Sequence, residues 1–275
     1  MECKDIEWAA VLFNAIGEDW AYIDQAIKVK ENIEKKESIG AAILNFLNRW
    51  RSRAPSEVGE IIQSWYEENH IKLDELSFCL VDADFNDKEK VNKIKNIYRS
   101  LLDYKSPLGK EKNRIGDTIV AKTLHILNPN LFVAWDGPIK AYYVHKMNGQ
   151  EHKKMEPEEE YLEFLKKMQE YAKNLNQQNR NFVDDLNIKV KRLYQGNLEQ
   201  AKNVVHHKSK SIKEDINADG KKDNHNKDNR EKYDIMVEFM KNPGKTMAKY
   251  LDEYNWITIT NTVKVPPKWH PDEES

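Results

Sequence analysis

The chain has 275 residues, 39% of them hydrophobic and 33% charged, with 44 basic and 46 acidic side chains and a formal net charge of −2. That length allows one large or two small domains with a real core. The near-neutral balance excludes binding of nucleic acid through bulk positive charge and leaves only local clusters of cations.

Most of the chain has helical rhythm. From Ile6 to Ile27, Trp8, Leu12, Ala15, Tyr22, Ile23 and Ile27 recur at helical spacing, with Gly17 as a break. Ile43, Phe46, Leu47 and Trp50 share one face of a helix that Pro55-Ser56 ends. Val58, Ile61, Ile62, Trp65 and Tyr66 mark the next helix, and Phe78–Val81 is an apolar run too short to classify. Val91, Ile94, Ile97, Tyr98, Leu101 and Leu102 predict another helix before the turn Ser106-Pro107-Leu108-Gly109. Pro157 with Glu158, Glu159 and Glu160 reads as a helix start, since the dipole favours acidic residues there. A further helix is expected from about Val183 to Val205. Only Trp256–Val265, with Ile257, Ile259 and Val263 among threonines, has a strand pattern.

Lys208–Lys232 is rich in Lys, Asp and Asn and almost free of apolar residues. Such a stretch buries too little surface to offset ordering entropy and reads as a flexible linker. The expected organisation is therefore an all-α main domain over 1–207, a linker over 208–232 and a small α+β module over 233–275. That module is a candidate docking point for a protein partner.

Two cysteines, Cys3 and Cys79, exclude a four-thiolate centre within one chain and fit a reducing compartment. The N-terminus lacks a basic start followed by an apolar run, and no apolar stretch of about 18 residues occurs. A cytoplasmic protein without membrane contact is expected. Asp82–Asp87 opens like a calcium loop but has Asp87 where glycine is needed and Lys93 where glutamate is needed, so it reads as a turn capping the next helix. Gly244-Lys245-Thr246 lacks the upstream glycine and strand of a phosphate loop. His206 and His207 are adjacent and point apart on a helix, so no metal or other cofactor is expected. Arg49-Trp50-Arg51-Ser52-Arg53 is either a cation-rich helix end or a phosphate grip with a stacking tryptophan.

Chemistry, if the chain has any, is expected in the segment Gly116–Lys140. It reads as a glycine turn, an apolar helix, a short loop and then Asp136-Gly137-Pro138, in which Asp136 caps the next helix. A carboxylate at a partly apolar helix start, beside Trp135, is suited to stabilising positive charge. Lys122 and His125 lie three apart and are expected to share a helix face and a cavity. Lys110, Lys112 and Arg114 form a basic cluster just before Gly116.

Ile115-Gly116, the helix from Asp117 to Leu127, and Asp136-Gly137-Pro138-Ile139-Lys140 resemble the helix-hairpin-helix DNA glycosylases, over about 30 residues. The Asp-Gly-x-aliphatic-basic run is most similar to the adenine-removing branch. The chain keeps only the last pair of that family's hairpin motif, and Thr118 stands where bifunctional members carry a lysine nucleophile. The resemblance implies a DNA partner and a monofunctional base-excision N-glycosylase. Asp136 would offset oxocarbenium charge, and Lys122 and His125 would reach the same cavity. Lys110, Lys112, Arg114, Gly116, Thr118 and Lys140 would bind DNA, and Trp135 and Tyr142 would shape the pocket. A second resemblance, over residues 40–145, is to uncharacterised bacterial proteins with Lys-x-Leu-His, Asn-Pro-x-Leu-Phe and Trp-Asp signatures, here Lys122–His125, Asn128–Phe132 and Trp135-Asp136. It brings no activity with it. The alternative is a non-catalytic module that binds nucleic acid or protein, as in phage defence.

Overall fold

A computed structural model describes residues 1–15, 18–35, 37–105, 115–148, 155–192 and 245–263. The described part is mostly helical and contains no strand, which fits the all-α expectation. Its helices are α1 (Cys3–Ala15), α2 (Glu18–Lys35), α3 (Ile39–Arg49), α4 (Glu57–Asp74), α5 (Lys88–Leu102), α6 (Asp117–Leu127), α7 (Gly137–Asn148), α8 (Pro157–Gln178), α9 (182–192) and α10 (Met247–Asn255). No described helix is long and apolar enough to cross a membrane.

Local chemistry explains several helix ends. Asp87 caps α5 by accepting from the N–H groups of Glu89 and Lys90, at 2.9 and 3.3 Å. Pro157 opens α8, followed by three glutamates in its first turn. The short apolar run near residue 80 forms a single 3-10 turn, Leu80–Asp82.

Two units are distinguished by contact: residues 1–182 with 246–275, and residues 183–245. The second is described only by its part of α9 and by Lys245, which exchanges two hydrogen bonds with the Asn187 amide, at 2.7 and 2.9 Å. In the first, α3 packs on α2 and α4, α5 on α8, and α1 on α10. The α3–α4 contact is backbone to backbone. A Cβ on Gly40 would lie 2.0 Å from the Gly59 carbonyl oxygen.

The core surrounds an irregular segment. Leu131, Phe132, Val133, Ala134 and Trp135 are buried without regular secondary structure. Its polar groups are met from elsewhere. His125 Nδ1–H donates to the Phe132 carbonyl at 2.7 Å, and the Tyr161 hydroxyl donates to that of Val133 at 2.8 Å. Just upstream, Leu80 N–H donates to Asn130 O at 3.0 Å, and Asn128 Nδ2 donates to Leu76 O at 2.8 Å.

The C-terminal region departs from expectation. Residues 246–260 group with residues 1–182, and α10 packs on α1 and α8. The stretch that looks like a strand begins as a π-helical turn, Trp256–Thr260. Its apolar–threonine alternation mimics strand period, but Ile257 is buried and Thr258 donates back to the Tyr254 carbonyl at 2.7 Å. The expected linker, 208–232, lies outside the described residues.

The contact between α3 and α4 gives a direct test of the packing. Gly40→Ala should lower stability by about 2 kcal/mol or more, because backbone must move to admit the methyl group. Gly59→Ala, whose Cβ would meet its nearest neighbours at 3.3 Å, should cost less. Urea-unfolding midpoints of the two variants should order in that way.

Candidate active site

Asp136 precedes α7 and is half-buried. Its Oδ1 accepts the Ile139 N–H at 3.0 Å, so it caps α7. Its Oδ2 accepts the Thr260 hydroxyl at 2.7 Å. Both oxygens are thus held, one by its own helix and one by the π-helical turn.

The carboxylate faces a cavity lined by Phe13, Trp50, Arg51, Lys122, Ala134, Trp135, Asp136, Ile139, Asp252 and Trp256. The cavity is partly open to solvent and has a volume of about 30 Å³. That is room for water and too little for a base.

Lys122 reaches this cavity from α6. Its Nζ donates to Trp50 O at 2.8 Å and to Ser52 Oγ at 3.1 Å. Burial pushes its ammonium below the ordinary lysine value. The carboxylates of Asp252 and Asp136 oppose that shift, and Lys249 reinforces it.

Lys249, on α10, is fully buried beneath the cavity wall. Its Nζ lies 2.9 Å from Asp252 and 3.6 Å from Glu253. It also lies 4.6, 4.1 and 4.4 Å from the ring centres of Phe13, Tyr22 and Trp50. Two carboxylates and three aromatic faces replace the water this charge has lost. Trp50 is therefore fixed from two sides, by Lys249 on its ring and by Lys122 on its carbonyl.

His125 is not among the residues lining the cavity. It is fully buried, bonded to the Phe132 carbonyl, and its ring lies parallel to Trp50 at 6.3 Å. Its Nε2 has no hydrogen-bond partner. Positions three apart on a helix differ by about 60° in direction, enough to turn His125 behind the wall that Lys122 reaches. Its place is structural, against the expectation of a shared cavity.

The other expected residues divide. Trp135 is fully buried against Tyr161 and Phe164 and still contributes to the wall. Tyr142 is 44% exposed, stands edge-on to Tyr143 and does not line the cavity. Lys140, expected to contact DNA, is engaged by Asp117 and by Glu160, the latter at 3.0 Å. Gly116 is the exposed N-cap residue of α6, with Thr118 half-buried in the first turn. Lys110, Lys112 and Arg114 lie outside the described residues. No cluster of three or more metal-binding side chains occurs among the described residues.

Sequence reasoning missed Phe13, Asp252, Trp256 and Thr260 as neighbours of Asp136. Helical spacing shows that a face is apolar but not which distant face meets it. No protein-family model matches the chain, and no curated protein or solved structure matches it either.

The buried His125 has a measurable consequence. Burial holds its imidazole well below the ordinary 6.5, at about 4, so the folded protein keeps the ring neutral. The unfolded chain binds that proton first as pH falls. The stabilisation is complete above pH about 6.5 and is lost as pH falls through about 4, on the order of 3 kcal/mol. His125→Gln, which keeps a donor for the Phe132 carbonyl, should flatten stability against pH across that window in urea titrations.

Proposed function

We propose that the Asp136 cavity is the catalytic centre of an N-glycosylase acting on nucleic acid. One observation carries this reading: Asp136 and Lys122, both singled out by their place in the sequence, line the same tryptophan-walled cavity. A carboxylate among low-polarity walls stabilises developing positive charge far better than one in water. As the glycosidic bond breaks, Asp136 offsets the oxocarbenium charge on the sugar. The cavity has room for the attacking water, while sugar and base lie at its mouth. Lys122 uses two of its N–H bonds on Trp50 and Ser52 and has a third for a substrate or water oxygen. The base leaves its stack to reach the mouth.

A second reading is a non-catalytic module that binds nucleic acid or protein. It is favoured by the occupation of both Asp136 oxygens and by the small volume of the cavity. On this reading Asp136 only fastens α7 to the C-terminal turn.

Asp136→Asn separates the two readings. Asparagine caps a helix as well as aspartate does, so the variant should fold and melt like the wild type. The wild type should release a base from at least one duplex in a panel carrying oxidised, deaminated, alkylated and mismatched bases. The variant should do so at least about 100-fold more slowly. If the wild type releases no base across the panel, the catalytic reading fails.

A further inference from the structure

Asp136 alone leaves half of a hydrolysis unassigned. Both of its oxygens accept hydrogen bonds, from the Ile139 N–H and from the Thr260 hydroxyl. Such a carboxylate is anchored to hold a charge, and the lone pairs it uses are closed to a proton from water.

A second carboxylate borders the same cavity. Asp252, on α10, is 4% exposed and forms part of the cavity wall. Its Oδ2 accepts from Lys249 Nζ at 2.9 Å. Its Oδ1 accepts no hydrogen bond from the described residues. A buried acceptor beside a space of this size is satisfied by water.

Lys122 borders the cavity as well. Two of its N–H groups go to Trp50 O and Ser52 Oγ, which leaves the third. Among the described residues no ion pair joins Lys122 to Asp252 or Asp136. Both carboxylates act on its ammonium through space, Asp252 the more strongly. A donor and an acceptor held apart around a polar cavity are bridged by water.

We propose that Asp252 is a second catalytic residue, the general base that takes a proton from the attacking water. This rests on the catalytic reading of the Asp136 cavity and deepens it. Lys122 is a positioning residue, holding the water oxygen through its third N–H. That oxygen bonds to C1′ of the sugar as the bond from C1′ to the base nitrogen breaks. One water proton passes to Asp252 Oδ1 and from there to solvent. The electron pair of the broken bond leaves with the base, which takes up a proton from solvent. Asp136 meanwhile offsets the positive charge on the sugar. Hydrolysis of glycosides divides its tasks between two carboxylates in the same manner. Lys249 fixes the far oxygen of Asp252, so the carboxylate keeps its orientation through the proton transfer.

The test is single-turnover base release from the duplex that the wild type processes fastest. Asp252→Asn keeps an oxygen for Lys249, and Glu253 stays beside the ammonium. Its rate should fall at least about 100-fold while its affinity for the duplex is unchanged. Asp252→Ser vacates the place of the carboxylate. Sodium azide, an anion with no proton to lose, should restore the rate of that variant and yield the sugar azide. Asp136→Asn should not respond to azide. The wild type should release base more slowly in heavy water than in ordinary water, a measurement that stands even where the variants fail to fold. Release by Asp252→Asn at the wild-type rate would overturn the inference and leave the role of Asp136 intact. So would a slow Asp252→Ser that azide does not restore, which would reduce Asp252 to a partner of Lys249. Equal wild-type rates in the two solvents would also overturn it. A wild type that releases no base removes the catalytic reading itself, and this assignment with it.

Discussion

The backbone of Leu131–Trp135 is buried without the partners that a helix or sheet supplies, and the architecture around it answers that demand. Each unsatisfied carbonyl in such a place costs about 1–3 kcal/mol. A histidine from α6 serves Phe132, and a tyrosine from α8 serves Val133. The Thr246 hydroxyl, which also caps α10, serves the Pro129 carbonyl just upstream. Side chains from three helices are therefore fixed by one stretch of irregular chain. The same stretch delivers Asp136 to the start of α7, so the position of the carboxylate follows from the satisfaction of its neighbours.

Charge is handled in the same economical way. Lys249 is shut off from solvent, and two carboxylates and three aromatic rings surround it. Trp50 belongs to that cage, and its carbonyl also anchors Lys122. One tryptophan thus links a buried ion cluster to the cavity wall. Breaking a buried pair of this kind commonly costs several kcal/mol, because the remaining charge is stranded. The three charged side chains all belong to α10, and the cluster meets α1 through the contact of the Lys249 ammonium with the Phe13 ring.

Much of the helical scaffold was legible in the sequence because amphipathic spacing reports directly on burial. Ile43, Phe46 and Leu47 mark the inner face of α3, and Ile94, Ile97 and Leu101 that of α5. Asp136 and Lys122 were legible as candidates, one by its helix-start position and the other by its place on an apolar helix. The misreadings have physical causes. Spacing put His125 with Lys122, but the angular offset between them was enough to send the ring into the core. Lys140 looked available, since nothing in the sequence shows that Asp117 and Glu160 converge on it. The threonine alternation near residue 258 looked like a strand because period two can arise by chance in a helical turn of five residues. Asp252 and Thr260 stand more than a hundred residues from Asp136, and no local pattern encodes such a meeting.

The return of α10 to α1 bears on how the molecule is made. A ribosome releases the N-terminal helices long before residue 249 leaves its tunnel. Until then Phe13, Tyr22 and Trp50 have no ammonium to enclose, and Asp136 has no hydroxyl on its second oxygen. The nascent chain must carry an unfilled aromatic hollow through most of its synthesis. A polypeptide that stops short of α10 would keep that hollow open permanently, as a sticky surface for chaperones or for other unfinished copies.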